Sequence, residues 1–385
     1  MYPGVSLPFQ LTPFPPDRFQ VLGLIGQGGM GKVHKVRDRH LNRTVALKVP
    51  HHQNPDALRR LWVEAQHQAS LQHPHVLPIL EMGLWSGQPC LVLHYVDGPS
   101  LDRAVAPEDW REVVRLVAQA CRGVHAAHRM GMVHRDLKPQ NILVEVAEDG
   151  QRRALVTDFG LARVPDGESG SFHEDLLGSP PFMSPEQLEG TGLLDARSDV
   201  YSLGATLYAL LTGRPPFRAE DVATDASAPT SISFDSMGLP DSASLYRRIL
   251  EEAPVPPRER NPALPPDLET VILTCMEKEP HLRYATADAL AADLERVLRG
   301  EPVQARRPSL GRRIRFWIRQ HPKLALAVGL VLSLGLLGAL AGGLAVRHTR
   351  HRAEVAARFE AFARDLESAY RLENLSPEHD RTEVA

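Results

Sequence analysis

The sequence predicts an α+β chain in two lobes, a small strand-rich one and a larger helical one, followed by a single membrane-spanning helix. Three observations carry that expectation. Between Phe19 and Tyr95 the apolar residues gather in short Val- and Leu-rich runs, and between Asp109 and Arg299 they recur at helical spacing. From Leu324 to Val346 no charged residue occurs. A run of strands followed by a run of helices makes an α+β architecture, with a cleft where the two parts meet.

The strands expected in the first lobe, about residues 19–95, are FQVLGLIG, KVHKVRD, RTVALKV and CLVLHYV. They are short, rich in residues that suit a pleated surface, and separated by turn residues. One helix interrupts them, ALRRLWVEAQHQASLQ, with apolar positions at helical spacing. The second lobe, about residues 96–300, is read from WREVVRLVAQACRGVHAAHRMG, DVYSLGATLYALLTG, LETVILTCMEKEP and ADALAADLERVLRG, each closing on Gly or Pro. Residues 1–18 form a Pro-rich, extended lead-in that lacks the basic and apolar regions of a secretory signal. Residues 220–244 are small and polar with little periodicity, and read as a flexible surface insertion.

Residues 301–323 are basic. Leu310, Ile314, Trp317 and Ile318 fall on one helical face while arginines crowd the others, as in a helix lying on an anionic membrane surface before Pro322 breaks it. Residues 324–346 then cross ~30 Å of hydrocarbon at about 1.5 Å per residue. Residues 347–385 form a short helical tail, with Val355, Phe359, Phe362, Leu366 and Ala369 in steps of four and three. Within the span Gly338 and Gly342, and likewise Gly335, Ala339 and Gly343, stand four apart. Small residues at that spacing let helices approach closely and suggest a homodimer, although such residues are also simply common in spans.

Bulk composition excludes some classes. The net charge of −3 gives no basic patch for nucleic acid. Cys90, Cys121 and Cys275 are too scattered for a disulfide framework, and the 17 histidines make no ligand spacing for zinc.

The chemistry lies in the motifs. IGQGGMGKV, Ile25 to Val33, places Gly26, Gly28 and Gly31 in a G-x-G-x-x-G-x-V pattern between two strands, where glycine lets the backbone close over phosphates. KVHKV continues as strand, whereas a dinucleotide fold would open a helix there. Lys48 ends the apolar strand VALK and needs an anionic partner, for which Glu64 is the candidate. GMVHRDLKPQNILV, Gly131 to Val144, crowds His134, Arg135, Asp136, Lys138 and Asn141 into a loop clamped between apolar runs, and VTDFGLAR follows. Together these resemble the eukaryotic-type (Hanks-type) serine/threonine protein kinases, particularly the membrane-bound bacterial ones, from about Phe19 to Gly300.

That resemblance implies a protein-kinase-like fold and a set of roles. The ATP site comprises Ile25, Gly26, Gln27, Gly28, Gly29, Met30, Gly31, Lys32 and Val33 over the phosphates, with Ala46, Lys48, Glu64, Leu93 at the gatekeeper position, and Tyr95 and Val96 at the hinge. Asp136 orients the substrate hydroxyl and accepts its proton, and Lys138 meets the γ-phosphate. Asn141 and Asp158 hold Mg2+, with Mn2+ as an alternative. Arg135 pairs with an anion on the activation loop, Asp199 braces the catalytic loop, and Glu186 pairs with Arg283. His134 is expected to pack in the core. The DLKPQN form points to serine and threonine in protein substrates. ATP places this domain in the cytoplasm, on a single-pass cell-membrane anchor.

The activation segment departs from the family. Leu177-Gly178-Ser179-Pro180-Pro181-Phe182-Met183-Ser184-Pro185-Glu186 stands where T-G-T-P-x-Y-M-x-P-E is common, so Leu177 offers no hydroxyl to phosphorylate. Ser179 supplies a hydroxyl near Asp136. Ser169 and Ser171 are the phosphoacceptor candidates, and Glu174 or Asp175 could stand in as a fixed anion for Arg135. Two rivals are a catalytically dead membrane scaffold and a small-molecule kinase. Intact Lys48, Asp136, Asn141 and Asp158 oppose the first, and Ser184-Pro185-Glu186 with Arg283 opposes the second.

Overall fold

The computed structural model describes residues 11–28, 31–50, 55–147, 150–159, 180–190, 194–218, 242–305 and 322–373. It divides into two compact units, Met1–Pro308 and Ser309–Ala385. In the first, strands β1 (Phe19–Gly28), β2 (Gly31–Asp38), β3 (Arg43–Pro50), β4 (Ile79–Trp85) and β5 (Gln88–His94) form an antiparallel sheet in the order β1-β2-β3-β5-β4. β4 escapes the sequence reading because a glycine and a glutamate interrupt its apolar residues. Helix α1 (Pro55–Ser70) contributes Trp62 and Ala65 to the apolar cluster on one face of the sheet, with Ala46, Leu91 and Leu93. The other face buries Val36, Val45, Leu47, Val49 and Val92. The strict alternation of a strand divides RTVALKV between these two cores.

The lead-in belongs to this lobe. Phe14 N donates to Leu84 O at 2.9 Å and Leu84 N donates to Thr12 O at 3.1 Å, so the segment lies along the β4 edge. Phe14 is buried and meets Phe19 edge-to-face, with ring centroids 5.2 Å apart. A Cβ on Gly83 would come within 2.6 Å of the Phe14 ring, so only glycine admits it. Arg18 lies over both aromatic rings, reaches Asp38 at 3.0 Å and Glu81 at 3.0 Å, and locks the arrangement. Asp38 is fully buried; burial pushes its carboxyl up, but Arg18 and the amides of Leu41 and His40 more than offset this and hold it below the usual range.

The hinge, His94 to Val96, leads to the helical lobe. There α2 (Leu101–Ala104) and α3 (Trp110–His128) precede the two-stranded sheet β6 (Ile142–Val146) and β7 (Arg152–Val156). Then come α4 (Pro185–Glu189), α5 (Ala196–Thr212), α6 (Ser242–Glu251), α7 (Pro257–Arg260), α8 (Pro266–Cys275) and α9 (Ala287–Arg299). α5 is buried from Ser198 to Leu211 on every face, which makes it the axis of the lobe. α3, α8 and α9 pack around it through Val117, Val271, Ile272 and Leu290. α6 starts at Ser242, inside the expected insertion; of that insertion, residues 220–241 lie outside the described residues.

In the second unit one helix runs from Pro322 to Glu373. Pro322 opens it, since a proline at the first turn forfeits no helical hydrogen bond. The expected span and residues 347–373 of the tail are one element, because no glycine or proline follows Gly343 until Pro377; residues 374–385 lie outside the described residues. It is the one described helix long and apolar enough to cross a membrane. The basic face read at 306–321 lies outside the described residues.

Phe14→Ala empties the slot over Gly83 and is expected to lower the unfolding free energy by about 3 kcal/mol, read from denaturant midpoints. Val21→Ala, at a half-exposed position of β1, is expected to change it by less than about 0.5 kcal/mol.

Candidate active site

The catalytic loop hangs from one buried carboxylate. Asp199, on α5 and fully buried, accepts from His134 N at 2.7 Å and Arg135 N at 2.9 Å, and its Oδ2 also meets His128 Nε2 at 2.7 Å. Arg135 has φ 67, a left-handed conformation that costs a branched or long residue about 1–2 kcal/mol. Two successive amides aimed at one carboxylate compensate for it. His134 is buried with both ring nitrogens committed: Nε2 donates to Thr157 O at 2.8 Å, and Nδ1 accepts from Asp136 N at 3.3 Å. Its ring lies 4.7 Å from that of Phe159. Neither nitrogen is left for proton transfer.

From this support Asp136 projects, with 8% of its surface exposed. Lys138 Nζ stands 3.0 Å from Asp136 Oδ2. Asn141 closes a single 3-10 turn, Pro139–Asn141, and donates from Nδ2 to Asp136 O at 2.7 Å and to Asp136 Oδ2 at 3.1 Å. With its nitrogen so committed, the amide presents its oxygen as the free acceptor end. Asp158, also left-handed at φ 64, receives Lys48 Nζ at 2.6 Å. Burial pushes the Asp158 carboxyl up, but the charge and hydrogen bond of Lys48 outweigh it and keep the group below the usual range, hence ionised.

The partner of Lys48 differs from expectation. The sequence reading gave it Glu64, whereas its ion pair here is with Asp158. Glu64 lines a cavity of about 140 Å3 with His67, Met132, Val133, Arg135 and Phe159. The left-handed turn at Asp158 delivers that carboxylate to the ammonium.

The sheet face next to the hinge is apolar. Val33, Ala46, Leu93, Tyr95 and Val96 share one cluster, in which Leu143 also packs. Sequence reading missed Leu143, although alternation signals it: Ile142 and Val144 point into the helical lobe's core, so Leu143 faces the other way. Gly31, at φ 142, sits where a Cβ would come within 2.3 Å of Val49 O, so only glycine fits where the second strand of the hairpin begins. Ile25, Gly26, Gln27 and Gly28 end β1, and Lys32 follows on β2. Gly29, Met30, Ser169, Ser171, Glu174, Asp175, Leu177 and Ser179 lie outside the described residues.

The donor set suits a hard divalent cation. A hard cation of this kind takes one or two protein oxygens and leaves its other positions to phosphates and water. The Asp158 carboxylate and the Asn141 amide oxygen supply such a pair. Among the described residues no group of three or more His, Cys, Asp or Glu side chains forms a protein-only cage.

The floor behind the site is held by Glu186 and Arg283. Arg283 Nη1 and Nη2 donate to the Glu186 carboxylate at 2.7 and 2.8 Å, and its nitrogens also reach the carbonyls of Glu277, Arg197 and Lys278. Gln187, next along α4, donates to Arg135 O at 2.8 Å, which joins this pair to the catalytic loop. Burial pushes the Glu186 carboxyl up, yet Arg283 and the Ser198 hydroxyl outweigh it, so the folded pKa lies below the unfolded one. The stabilisation is therefore whole above the ordinary carboxylate range and disappears as pH falls through the folded value. Arg283→Ala is expected to cost about 3–5 kcal/mol at pH 7. In denaturant titrations the difference from wild type should shrink in acid, leaving the part due to the carbonyl contacts.

Residues 19–294 match the family "Protein kinase domain". Over 301 residues the chain is 36% identical to serine/threonine-protein kinase PknB of Mycobacterium tuberculosis, covering 75% of this chain and 44% of that protein. The chain thus spans less than half the length of this curated relative. Among solved structures, the PknI kinase domain of Mycobacterium tuberculosis superposes with a TM-score of 0.51 at 23% identity, covering 73% of this chain and 97% of that one. Rad53 residues 1–466 in complex with AMP-PNP gives a TM-score of 0.54 at 22% identity, covering 71% of this chain and 64% of that one. These likenesses show a shared fold. With the family match over most of its length, the chain belongs to the protein kinase family.

Proposed function

We propose that this chain transfers the γ-phosphoryl group of Mg-ATP to serine and threonine hydroxyls of protein substrates, from a kinase domain anchored on the cytoplasmic face of the cell membrane. The observation that carries the reading is the contact chain Lys138–Asp136–Asn141, with Lys48–Asp158 beside it. Phosphoryl transfer needs positioning and charge neutralisation more than a strong base, which suits carboxylates, an amide and two lysines. Asp136 orients the acceptor hydroxyl and takes its proton, while Lys138, already beside that carboxylate, meets the transferring group. Lys48 holds the α- and β-phosphates. Asn141 and Asp158 hold the metal, which when bound neutralises charge developing on the phosphate oxygens. Mg2+ is the assigned ion and Mn2+ the alternative. Binding of AMP-PNP by Rad53, of like fold, supports the assignment of ATP.

The membrane part of the reading rests on the C-terminal helix. Its apolar window is not buried against protein, and Leu330, Leu334, Leu337 and Leu340 stand more than half exposed. Such surface is stable in lipid rather than water. The small residues of the span support a homodimer, and cross-linking in membranes that returned only monomer would count against it.

Asp136→Asn and Lys48→Met are each expected to reduce transfer from γ-labelled ATP by at least about a thousandfold. Chelating magnesium should stop the wild type. Retained transfer by both variants would overturn the assignment.

A further inference from the structure

One cation outside the assigned machinery faces the cleft. In the β2–β3 register Val33 stands opposite Lys48 and Lys35 opposite Ala46, and in the β3–β5 register Ala46 stands opposite Leu93. Directly opposed residues share a face of the sheet. Lys35 therefore lies on the same face as Val33, Ala46, Lys48 and Leu93, one pair further towards the hinge. Its ammonium has partners on the hinge. Nζ donates to Tyr95 Oη at 2.9 Å and stands 4.3 Å from the centroid of the same ring. Tyr95 Oη, accepting from the lysine, donates onward to Asp97 Oδ1 at 3.2 Å. The Tyr95 hydrogen bond, with the Asp97 charge behind it, raises the Lys35 ammonium above its ordinary range.

The adjacent hinge residue is tied in the other direction. His94 Nε2 meets Glu145 Oε1, on β6 of the helical lobe, at 2.8 Å. Consecutive hinge residues are thus fastened to opposite lobes. Backbone pairing joins β2 to β3 from Gly31 to Asp38, but the outer strand of the hairpin buries few side chains. β1 is an edge strand, and Val21, Leu22, Leu24 and Ile25 on it are about half exposed. An element with so little buried surface opens easily and depends on individual side-chain ties.

We propose that Lys35 is a positioning residue for the nucleotide: through Tyr95 and Asp97 it fastens the returning strand of the glycine hairpin to the hinge and so sets the height of the hairpin over the phosphates. This rests on the kinase reading above. The tie acts on a strand that covers ATP and not on the group that meets the acceptor hydroxyl. Its loss therefore weakens ATP binding and leaves the transfer step nearly intact.

The test measures initial rates against ATP concentration, together with thermal unfolding, on the full chain in detergent or nanodiscs. Lys35→Met is expected to raise KM for ATP about threefold to tenfold with kcat within about twofold. Tyr95→Phe, which keeps the ring and deletes the hydroxyl, should give a smaller rise. Lys35→Arg, able to stack and donate, should bring KM back towards wild type. The Lys35→Met, Tyr95→Phe double variant should be no worse than Lys35→Met alone, because both cut one chain of contacts. An unmoved KM in both single variants would overturn the role, and so would a loss of kcat and thermal stability together at constant KM. Additive effects in the double variant would overturn the relay through Tyr95. A wild type that transfers no phosphate under these conditions would instead overturn the function proposed above, and this assignment with it.

Discussion

The site depends on a carboxylate that never touches substrate. Asp199 is fully buried, and a buried charge is tolerable only when its oxygens are fully engaged. Three donors engage it, two of them the consecutive amides of His134 and Arg135. That arrangement forces the backbone through the left-handed turn at Arg135 and aims Asp136 outward. Because α5 is enclosed on every side, the anchor cannot drift, and the geometry of the loop is inherited from the core of the helical lobe. The same loop is gripped from the far side by Gln187, whose helix is fixed by the Glu186–Arg283 pair. Catalytic geometry here is a property of packing before it is a property of the reacting groups.

The strand lobe is organised differently. It has two thin cores separated by one sheet, and its functional residues sit on the face that looks towards the helical lobe. Beside the apolar contacts of Leu143 and Leu155, two polar pairs cross between the lobes, Lys48 to Asp158 and His94 to Glu145. Such contacts are sensitive to small displacements, in contrast to the apolar packing beneath Asp199. One lobe holds its groups rigidly, and the other brings its groups to them.

Much of this was legible in the sequence, because most of it follows from local rules. Strands β1, β2, β3 and β5 and helices α1, α3, α5, α8 and α9 announce themselves by periodicity and end signals, and the catalytic loop by its crowding of charge. What stayed hidden depends on choices made in three dimensions. Lys48 had two carboxylates to choose from, and spacing along the chain could not rank Glu64 against Asp158. Lys35 belongs to no motif, and only the strand register places it beside Tyr95. The lead-in carried the composition of a linker, and only Gly83, sixty-nine residues from Phe14 in number but against it in space, shows why it is not one. Pro322 read as a break because proline ends helices, yet the same residue begins them.

The docking of the N-terminal segment also has a consequence for the sheet as a hydrogen-bonding object. In the order β1-β2-β3-β5-β4, the outer edge of β4 would present unpaired amides and carbonyls beside an apolar slot, which is the geometry through which sheets recruit foreign strands. Residues 12–14 occupy that edge, and Pro13, which has no amide hydrogen, sits within the covering segment. The family match begins at residue 19, just beyond this cover. A chain trimmed to that boundary keeps every group assigned to phosphoryl transfer, yet exchanges a sealed edge for an adhesive one. Its solubility, sooner than its chemistry, would register the missing residues.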